Sequence, residues 1–233
     1  MAIGQTVTSS RITTVWNGST FAVDFSVVVP SGVSVLNVRI VGVYARIPPS
    51  TVAWNGNALT SRVTGDDGND RAVAIYDLDS PMAATANLTL TAIGETTYVV
   101  IVTLLTGVDM AGTPRGTAGT NDAWSATGSL DITTVAGDVV LDVISSRNQT
   151  LTVGAGQTSQ YNSDGPAAAG EDYAGASYKT ASGTTTTMSW TLAADQRWAV
   201  ASIPYKPAAG GGGGPDAATT KQYRESQLLT TDF

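Results

Sequence analysis

The sequence predicts an all-β protein, a two-sheet antiparallel sandwich of jelly-roll or immunoglobulin-like type with an extended C-terminal tail. Along most of the chain, apolar and polar residues alternate with a period of two, as in half-buried strands. Gly, Pro, Asn and Asp separate these runs at intervals of about 8 to 12 residues. Strong helix formers are scarce, since Glu occurs only at positions 95, 171 and 225. Periodicity does not determine connectivity, so both sandwich types stay open.

The first predicted strands follow from two runs of alternating residues. Residues 21–27 place Phe21, Val23, Phe25 and Val27 on one face, and the run ends before Pro30. Residues 33–46 repeat the pattern over a greater length. That length predicts a strand with a bulge or bend near Gly42.

A tight hairpin is predicted at Asn55-Gly56, between two short β-rich runs. A type I′ turn requires a positive φ at both central residues, and Asn followed by Gly satisfies this requirement best. Further strands are predicted over residues 71–78, 86–92, 97–105, 129–135, 138–145, 151–153, 177–180, 185–192 and 197–203.

The composition changes abruptly near residue 207, which predicts three segments: a β-sandwich domain over residues 1–207, a Gly-rich linker over 208–215 and a tail peptide over 216–233. Five consecutive glycines, Gly210 to Gly214, lose too much entropy to hold a strand or helix. The tail has few apolar residues and no core of its own. Its apolar residues are the predicted partner-binding residues, with a disordered terminus as the alternative: Tyr223, Leu228, Leu229 and Phe233.

The residue types that are missing exclude much catalytic chemistry. The chain has no Cys and no His, which excludes disulfides, thiol nucleophiles, catalytic triads with a His base, and metal sites built from either residue. The formal net charge is −7 with only three lysines, so nucleic acid is not an expected partner. No cofactor is expected.

Neither a secretion signal nor a membrane span can be read from the sequence. The first sixteen residues lack a basic segment followed by an apolar one. The longest apolar run, residues 98–105, is far shorter than the roughly 18 residues of a membrane span. We therefore expect synthesis in the cytoplasm without a signal peptide, and no membrane partner.

Residues 66–70 place Asp66, Asp67 and Asp70 on one short loop with Asn69. Carboxylate and amide oxygens are ligands that Ca²⁺ accepts, but the spacing does not match an EF-hand loop. Asp, Gly and Asn are also the ordinary residues of a turn. We interpret the loop as a solvated turn, with a calcium site as the alternative.

Two further sets of residues are candidates for a catalytic or sugar-binding site. Asp131, Asp138 and Asp142 could supply paired carboxylates for glycoside hydrolysis, but nothing in the sequence makes any two converge. Tryptophans could form a platform for sugars, but on alternating strands they more often belong to the core. Trp190 and Trp198 are predicted as core partners across a terminal hairpin, whereas Trp54 and Trp124 stay candidates for sugar binding.

Residues 30–205 carry several runs that resemble β-sandwich domains in structural and surface proteins of tailed bacteriophages and in some bacterial surface proteins. The resemblance rests on structural runs, which are Trp54-Asn55-Gly56, Ala58-Leu59-Thr60, residues 71–76, 136–143, 153–158 and 188–192, and Trp198-Ala199-Val200-Ala201. It implies a virion protein such as a capsid decoration protein or a tail or fibre component. It supplies no catalytic residue.

The leading hypothesis is a non-enzymatic structural protein of a bacteriophage particle, located in the virion. Its expected partners are further copies of itself and other virion proteins such as the major capsid protein. The alternative is a carbohydrate-binding module of a fibre or cell-surface protein, indicated by the aromatic residues and the Asp-rich loop.

Overall fold

The computed structural model describes residues 2–15, 20–43, 48–69, 71–91, 96–112, 119–147, 150–163 and 173–209. In this part of the chain nearly every element is a strand, and the helical structure amounts to one 3-10 turn, Met110–Gly112. All strand pairs are antiparallel. The predicted all-β antiparallel sandwich is therefore confirmed, although it contains three sheets where two were expected.

Fifteen strands lie within the described ranges. In the first half of the chain they are β1 (Gly4–Val15), β2 (Thr20–Val29), β3 (Val33–Val43), β4 (Thr51–Trp54), β5 (Asn57–Ala58), β6 (Thr60–Asp66), β7 (Arg71–Asp79), β8 (Ala84–Thr91) and β9 (Thr96–Thr106). In the second half they are β10 (Gly119–Thr133), β11 (Val139–Ser146), β12 (Leu151–Val153), β13 (Thr158–Asn162), β14 (Tyr173–Thr180) and β15 (Thr185–Tyr205).

The three sheets stack as layers. The middle sheet has the order β1-β9-β3-β7-β6, and the N-terminal outer sheet has the order β2-β8-β4-β5. In the first half of the chain, the strands pass back and forth between these two sheets, which enclose one apolar core. The C-terminal sheet, β10-β15-β11-β14-β13 with β12 beside β15, packs on the other face of the middle sheet and encloses a second core.

The central strands of the middle sheet carry apolar residues on both faces, and both faces are buried. In β3, Leu36 and Val38 contribute to the core shared with the N-terminal outer sheet. Val35 and Val41 contribute to the core shared with the C-terminal sheet. Successive side chains of a strand point to opposite faces, so a strand with two apolar faces needs a layer on each side. This requirement explains the third sheet.

The C-terminal sheet bends back over its own outer face. The β10–β15 pairing passes from Ser125 opposite Gln196 directly to Thr127 opposite Thr191, which leaves several extra residues in β15 at the bend. Residues 185–192 and 197–203, predicted as two strands, belong to this one 21-residue strand. Trp190 and Trp198 share one buried cluster, as predicted, but they lie on the same strand and not across a hairpin.

Local predictions met different outcomes. The Asn55-Gly56 turn is confirmed, with φ of 48° and 76° at the two residues. The bulge or bend predicted near Gly42 is wrong, because Gly42 keeps regular pairing with Ala72 and Tyr98; the irregular pairing in β3 lies between Val33 and Val35. Strand β1 was missed because its polar Thr and Ser residues at the sheet edge hide the alternation. No helix in the described ranges is long and apolar enough to cross a membrane.

Candidate functional site

The Asp-rich loop between β6 and β7 is a turn held by its own carboxylates. Oδ1 of Asp66 accepts a hydrogen bond from the Gly68 amide at 2.8 Å. Oδ1 of Asp67 accepts from the amides of Asn69 and Arg71 at 2.9 and 3.0 Å. Across the described positions, no group of three or more Asp or Glu side chains could hold a metal ion. These contacts favour the turn interpretation; Asp70 lies outside the described residues.

Trp124 is the tryptophan that the described structure leaves exposed. Its residue exposure is 59%, whereas Trp54, Trp190 and Trp198 are at most 2% exposed. The indole nitrogens of the three buried residues donate to Ala86 O, Asp142 Oδ2 and Ser125 Oγ, respectively. Buried tryptophans with satisfied N–H groups are core residues. Of the two candidates for sugar binding, Trp54 is therefore part of the core, and Trp124 stays available at the surface.

Arg197 connects Trp124 to the Asp-rich turn. It lies directly opposite Trp124 in the β10–β15 register. Its guanidinium carbon is 5.8 Å from the centroid of the Trp124 ring, within the range of a cation–π contact. Its Nη1 lies 3.4 Å from the carbonyl oxygen of Asp67, to which it donates. Asp67 and Trp124 are 57 positions apart in the sequence, and both contact Arg197.

The position of Trp124 follows from strand alternation. Thr120, Asp122 and Trp124 lie on the same face of β10. The β15 residues opposite the first two, Ala201 and Ala199, belong to the core between the middle and C-terminal sheets. Thr120 packs against Gly65 at the end of β6, where an added Cβ would lie 2.7 Å from Thr120 Cγ2. Asp122 and Trp124 lie further along this face and are exposed.

We call this surface the Trp124 ledge, formed by Asp122, Trp124, Arg197 and the turn at residues 66–69. It presents an exposed aromatic ring, a guanidinium group and carboxylates side by side. The sequence identified Trp124 and the turn separately. It gave no signal for Arg197, because only the strand register and the packing of β6 against β10 bring the three together.

The three carboxylates considered for glycoside hydrolysis form hydrogen bonds within the fold. Asp142 is fully buried in β11, and its Oδ1 accepts from the amide and hydroxyl of Ser177, both at 2.7 Å. Asp138 is also buried and accepts from the Val135 amide at 2.8 Å. Asp131 is exposed and accepts from the Thr187 hydroxyl. The three carboxylates thus serve separate local contacts, as expected when nothing in the sequence made them converge.

A first buried polar network joins the middle sheet to the C-terminal sheet. Arg39 of β3 donates through Nη1 to the carbonyls of Asp142 and Ser177 and through Nη2 to Thr103 and Gln160. Burial lowers the pKa of Arg39 to about 10, while Asp142 opposes this shift. The guanidinium therefore stays charged at neutral pH, stabilised by neutral acceptors from both layers.

A second network crosses the same interface. Tyr205 of β15 donates to Asp77 Oδ1 of β7 at 2.8 Å and accepts from Asn37 Nδ2 at 2.9 Å. Asp77 also pairs with Arg62, whose Nε lies 3.1 Å from Oδ2. Burial raises the pKa of Asp77, against the lowering effect of these donors. Burial likewise raises the pKa of Tyr205 well above its ordinary value, so the hydroxyl keeps its proton and can donate.

The predicted partner-binding residues Tyr223, Leu228, Leu229 and Phe233 lie outside the described residues. The structure does describe how the chain leaves the last strand. Lys206 O accepts from the Asp109 amide at 2.9 Å, and the Ala208 amide donates to Gly107 O at 2.7 Å. The Lys206 ammonium also pairs with Asp109. We call these contacts between residues 206–208 and 107–109 the C-terminal clasp.

Comparison of the chain with protein families, with curated proteins and with solved structures found no match in any of the three. The expected relation to bacteriophage virion proteins therefore stays a prediction. The inferences that follow rest on the residues and contacts described above.

Proposed function

We propose that this chain is a non-enzymatic structural protein of a bacteriophage particle, as a capsid decoration protein or another component of the virion surface. In this role the layered β body is displayed on the particle. The peptide after the glycine linker contacts neighbouring copies of the chain or another virion protein such as the major capsid protein. No nucleic-acid or membrane contact is part of the proposal.

One observation carries the non-enzymatic part of the proposal: the buried ionisable groups act as connections between layers. Arg39 bonds to atoms of β9, β11, β13 and β14. Tyr205 and Asp77 join β15 to β7. Groups with shifted pKa values often mark active sites, but they also occur in structural networks. Here Arg39 donates to two backbone carbonyls and two neutral side chains, and Asp77 bonds to Asn37, Tyr205 and Arg62. We interpret both sets of contacts as structural, because they hold the layers in register.

The exit of the tail supports the assembly part of the proposal. The C-terminal clasp fixes the last residues of the body against the segment that follows β9. Residues 210–215 then supply five glycines and a proline, which span at most about 20 Å when extended. A tether anchored at one end holds its peptide near a neighbouring subunit at a high effective concentration. The resemblance to phage surface domains supports the choice of particle.

Mass spectrometry of purified phage particles tests this proposal. Particles from the lysate of the producing host are banded on a density gradient and treated with high salt to remove loosely bound protein. We expect the protein to band with the particles, so that its peptides are detected in the particle band at a constant ratio to those of the major shell protein. Its absence from the particle band, with the protein present in the unbanded lysate, would contradict the proposal.

A further inference from the structure

We propose that the Trp124 ledge is a carbohydrate-binding site that takes the pyranose ring of an oligosaccharide. This inference goes beyond the structural role and does not depend on it, because a glycan site can serve any displayed protein. It rests on the exposed ring, the groups beside it and the way in which both are held.

The exposed ring provides the apolar half of such a site. Trp124 is 59% exposed although Ala123 and Ser125 on either side of it are paired with β15, the irregular pairing beginning after Ser125. The guanidinium of Arg197 lies on the ring at 5.8 Å. Both faces of an aromatic ring carry partial negative charge, and the C–H groups on one side of a pyranose carry partial positive charge. A sugar can therefore stack on the part of the ring that Arg197 leaves exposed.

The neighbouring side chains provide the polar half of the site. Asp122 is exposed on the same face of β10, two residues from Trp124, which corresponds to about 7 Å along a strand. This is comparable to the span of one sugar ring with its hydroxyl groups. A carboxylate accepts hydrogen bonds from two adjacent hydroxyls, and the guanidinium donates several. Asp122 and Arg197 thus offer acceptors and donors next to one stacking surface.

The ledge is held in place before a ligand arrives. Arg197 is bound at one end to Asp67 O, and Asp67 in turn accepts two backbone amides within its turn. The backbone on both sides of Trp124 is paired, with Ala123 opposite Trp198 and Ser125 opposite Gln196. A site whose groups are already ordered loses less entropy on binding, so even a small ligand can bind measurably.

A carbohydrate fits this surface better than a protein partner does. The cores of protein interfaces are apolar and poor in charged residues, although Trp and Arg are frequent in them. Around Trp124 the neighbours are the carboxylate of Asp122, the guanidinium of Arg197 and the polar turn at residues 66–69. One exposed ring with hydrogen-bonding groups beside it complements a pyranose, which presents C–H groups on one side and hydroxyls around its edge.

The test is a titration of the full-length protein with a panel of oligosaccharides built from neutral hexoses, N-acetylhexosamines and uronic acids. Binding is followed by calorimetry and by acrylamide quenching of tryptophan fluorescence. We expect saturable binding of at least one class with a Kd in the micromolar to millimolar range. The difference in quenching between the parent and Trp124→Phe gives the contribution of Trp124. The bound sugar should reduce this contribution, because it covers Trp124, whereas the buried tryptophans are already shielded.

Three variants decide whether the ledge is the site. We expect Trp124→Ala to weaken binding at least tenfold and Arg197→Ala to weaken it severalfold. Met82→Ala is the matched control, since Met82 is 72% exposed near the start of β8 and should leave binding unchanged. Equal melting temperatures of Trp124→Ala and the parent would exclude misfolding. Two outcomes would overturn the proposal: no saturable binding to the panel, and binding that Trp124→Ala does not change.

Discussion

Asp142 illustrates at the scale of a single residue how a charged group is accommodated between layers. It is fully buried, and its carboxylate accepts from the Ser177 amide, the Ser177 hydroxyl and the Trp190 indole. Burial nevertheless raises the pKa of Asp142, so the lost hydration outweighs these donors and the nearby Arg39. The residue therefore fixes the positions of β14 and the folded-over part of β15 at some cost in free energy.

We predict that Asp142→Asn lowers the free energy of unfolding by about 2 to 4 kcal/mol. In the variant the side-chain NH₂ group must face an N–H or O–H group that donates to the carboxylate in the parent, so that hydrogen bond is lost. Asp131→Asn is the matched control. Asp131 is exposed and accepts a hydrogen bond from the Thr187 hydroxyl, so its replacement should cost less than about 0.5 kcal/mol. Urea unfolding followed by circular dichroism measures both. Equal stability of the two variants would mean that the buried network contributes nothing.

The raised pKa of Asp142 predicts that stability depends on pH with a sign unusual for a carboxylate. A folded-state pKa above the ordinary value of 3.8 means that the folded protein binds the proton of Asp142 more tightly than the unfolded chain does. The contribution of Asp142 to stability is then greatest at low pH and is lost as pH rises through the raised pKa. The free-energy difference between the parent and Asp142→Asn should therefore grow as pH falls from 7 towards 4. Urea titrations at several pH values measure it, and a difference that shrinks on acidification would contradict the raised pKa.

At the scale of elements, the bend in β15 depends on glycines in β10 and β14, at positions where β15 and β10 pack over the sheet. An added Cβ at Gly175 of β14 would lie 2.7 Å from Trp190 Cη2 and 3.0 Å from Ile144 Cγ2. An added Cβ at Gly128 of β10 would lie 2.7 Å from Ile144 Cδ1. Both glycines leave room for the tryptophans of β15 to pack over the outer face of the C-terminal sheet.

We predict that Gly175→Ala destabilises the protein by roughly 1 to 3 kcal/mol, since Trp190 and Ile144 must move in a densely packed cluster. Gly183→Ala is the control. It has no heavy atom within 4 Å of the added Cβ and no positive φ, so its effect should stay within about 0.5 kcal/mol. Thermal unfolding of both variants gives the comparison. Replacing Gly by Ala reduces the entropy of the unfolded chain and so cannot by itself cause a loss of stability. A loss of stability in Gly183→Ala as large as that in Gly175→Ala would therefore show that contact with Trp190 is not the cause.

The C-terminal clasp lies at the predicted end of the body. The sandwich was predicted to end at residue 207, yet the Ala208 amide is bonded to Gly107. We predict that a chain ending at residue 205 still folds, but is about 1 to 3 kcal/mol less stable than one ending at 209. It loses two backbone hydrogen bonds and a partly exposed ion pair. Matching melting temperatures of the two chains would show that the clasp does not stabilise the body.

At the scale of the whole molecule, alternation predicted strands but not layers. Alternation predicted most strands and the burial of Trp190 and Trp198 correctly, and the residue pair Asn55-Gly56 predicted the turn. It could not predict the third sheet, since a strand that is apolar on both faces indicates burial without indicating what covers it. Polar edge strands such as β1 carry too weak an alternation to be recognised.

The candidate site was predictable only in parts. Trp124 and the turn at residues 66–69 could be recognised as candidates by residue type, because tryptophans and Asp-rich segments stand out in a sequence of low charge, but the exposure of Trp124 could not. Their junction at Arg197 depends on the cross-strand register and on the packing of β6 against β10. Such contacts between distant segments carry no local sequence pattern.

The central claim is that this chain assembles with its neighbours through the peptide after the glycine linker. Burying Tyr223, Leu228, Leu229 or Phe233 on a partner could contribute about 1.5 to 3 kcal/mol each, before ordering costs of similar size. Affinity per peptide is then modest, and repetition in an assembly makes it effective.

The most direct test is sedimentation of the full-length protein and of a chain ending at residue 209, alone and with purified particles, over the same concentration range. We predict that both chains give the same β-type circular dichroism spectrum. The full-length protein should self-associate or bind particles at concentrations at least tenfold lower than the shorter chain, and Leu228→Asp combined with Leu229→Asp should behave like the shorter chain. Equal association of all three proteins, or no association of any of them, would contradict the claim.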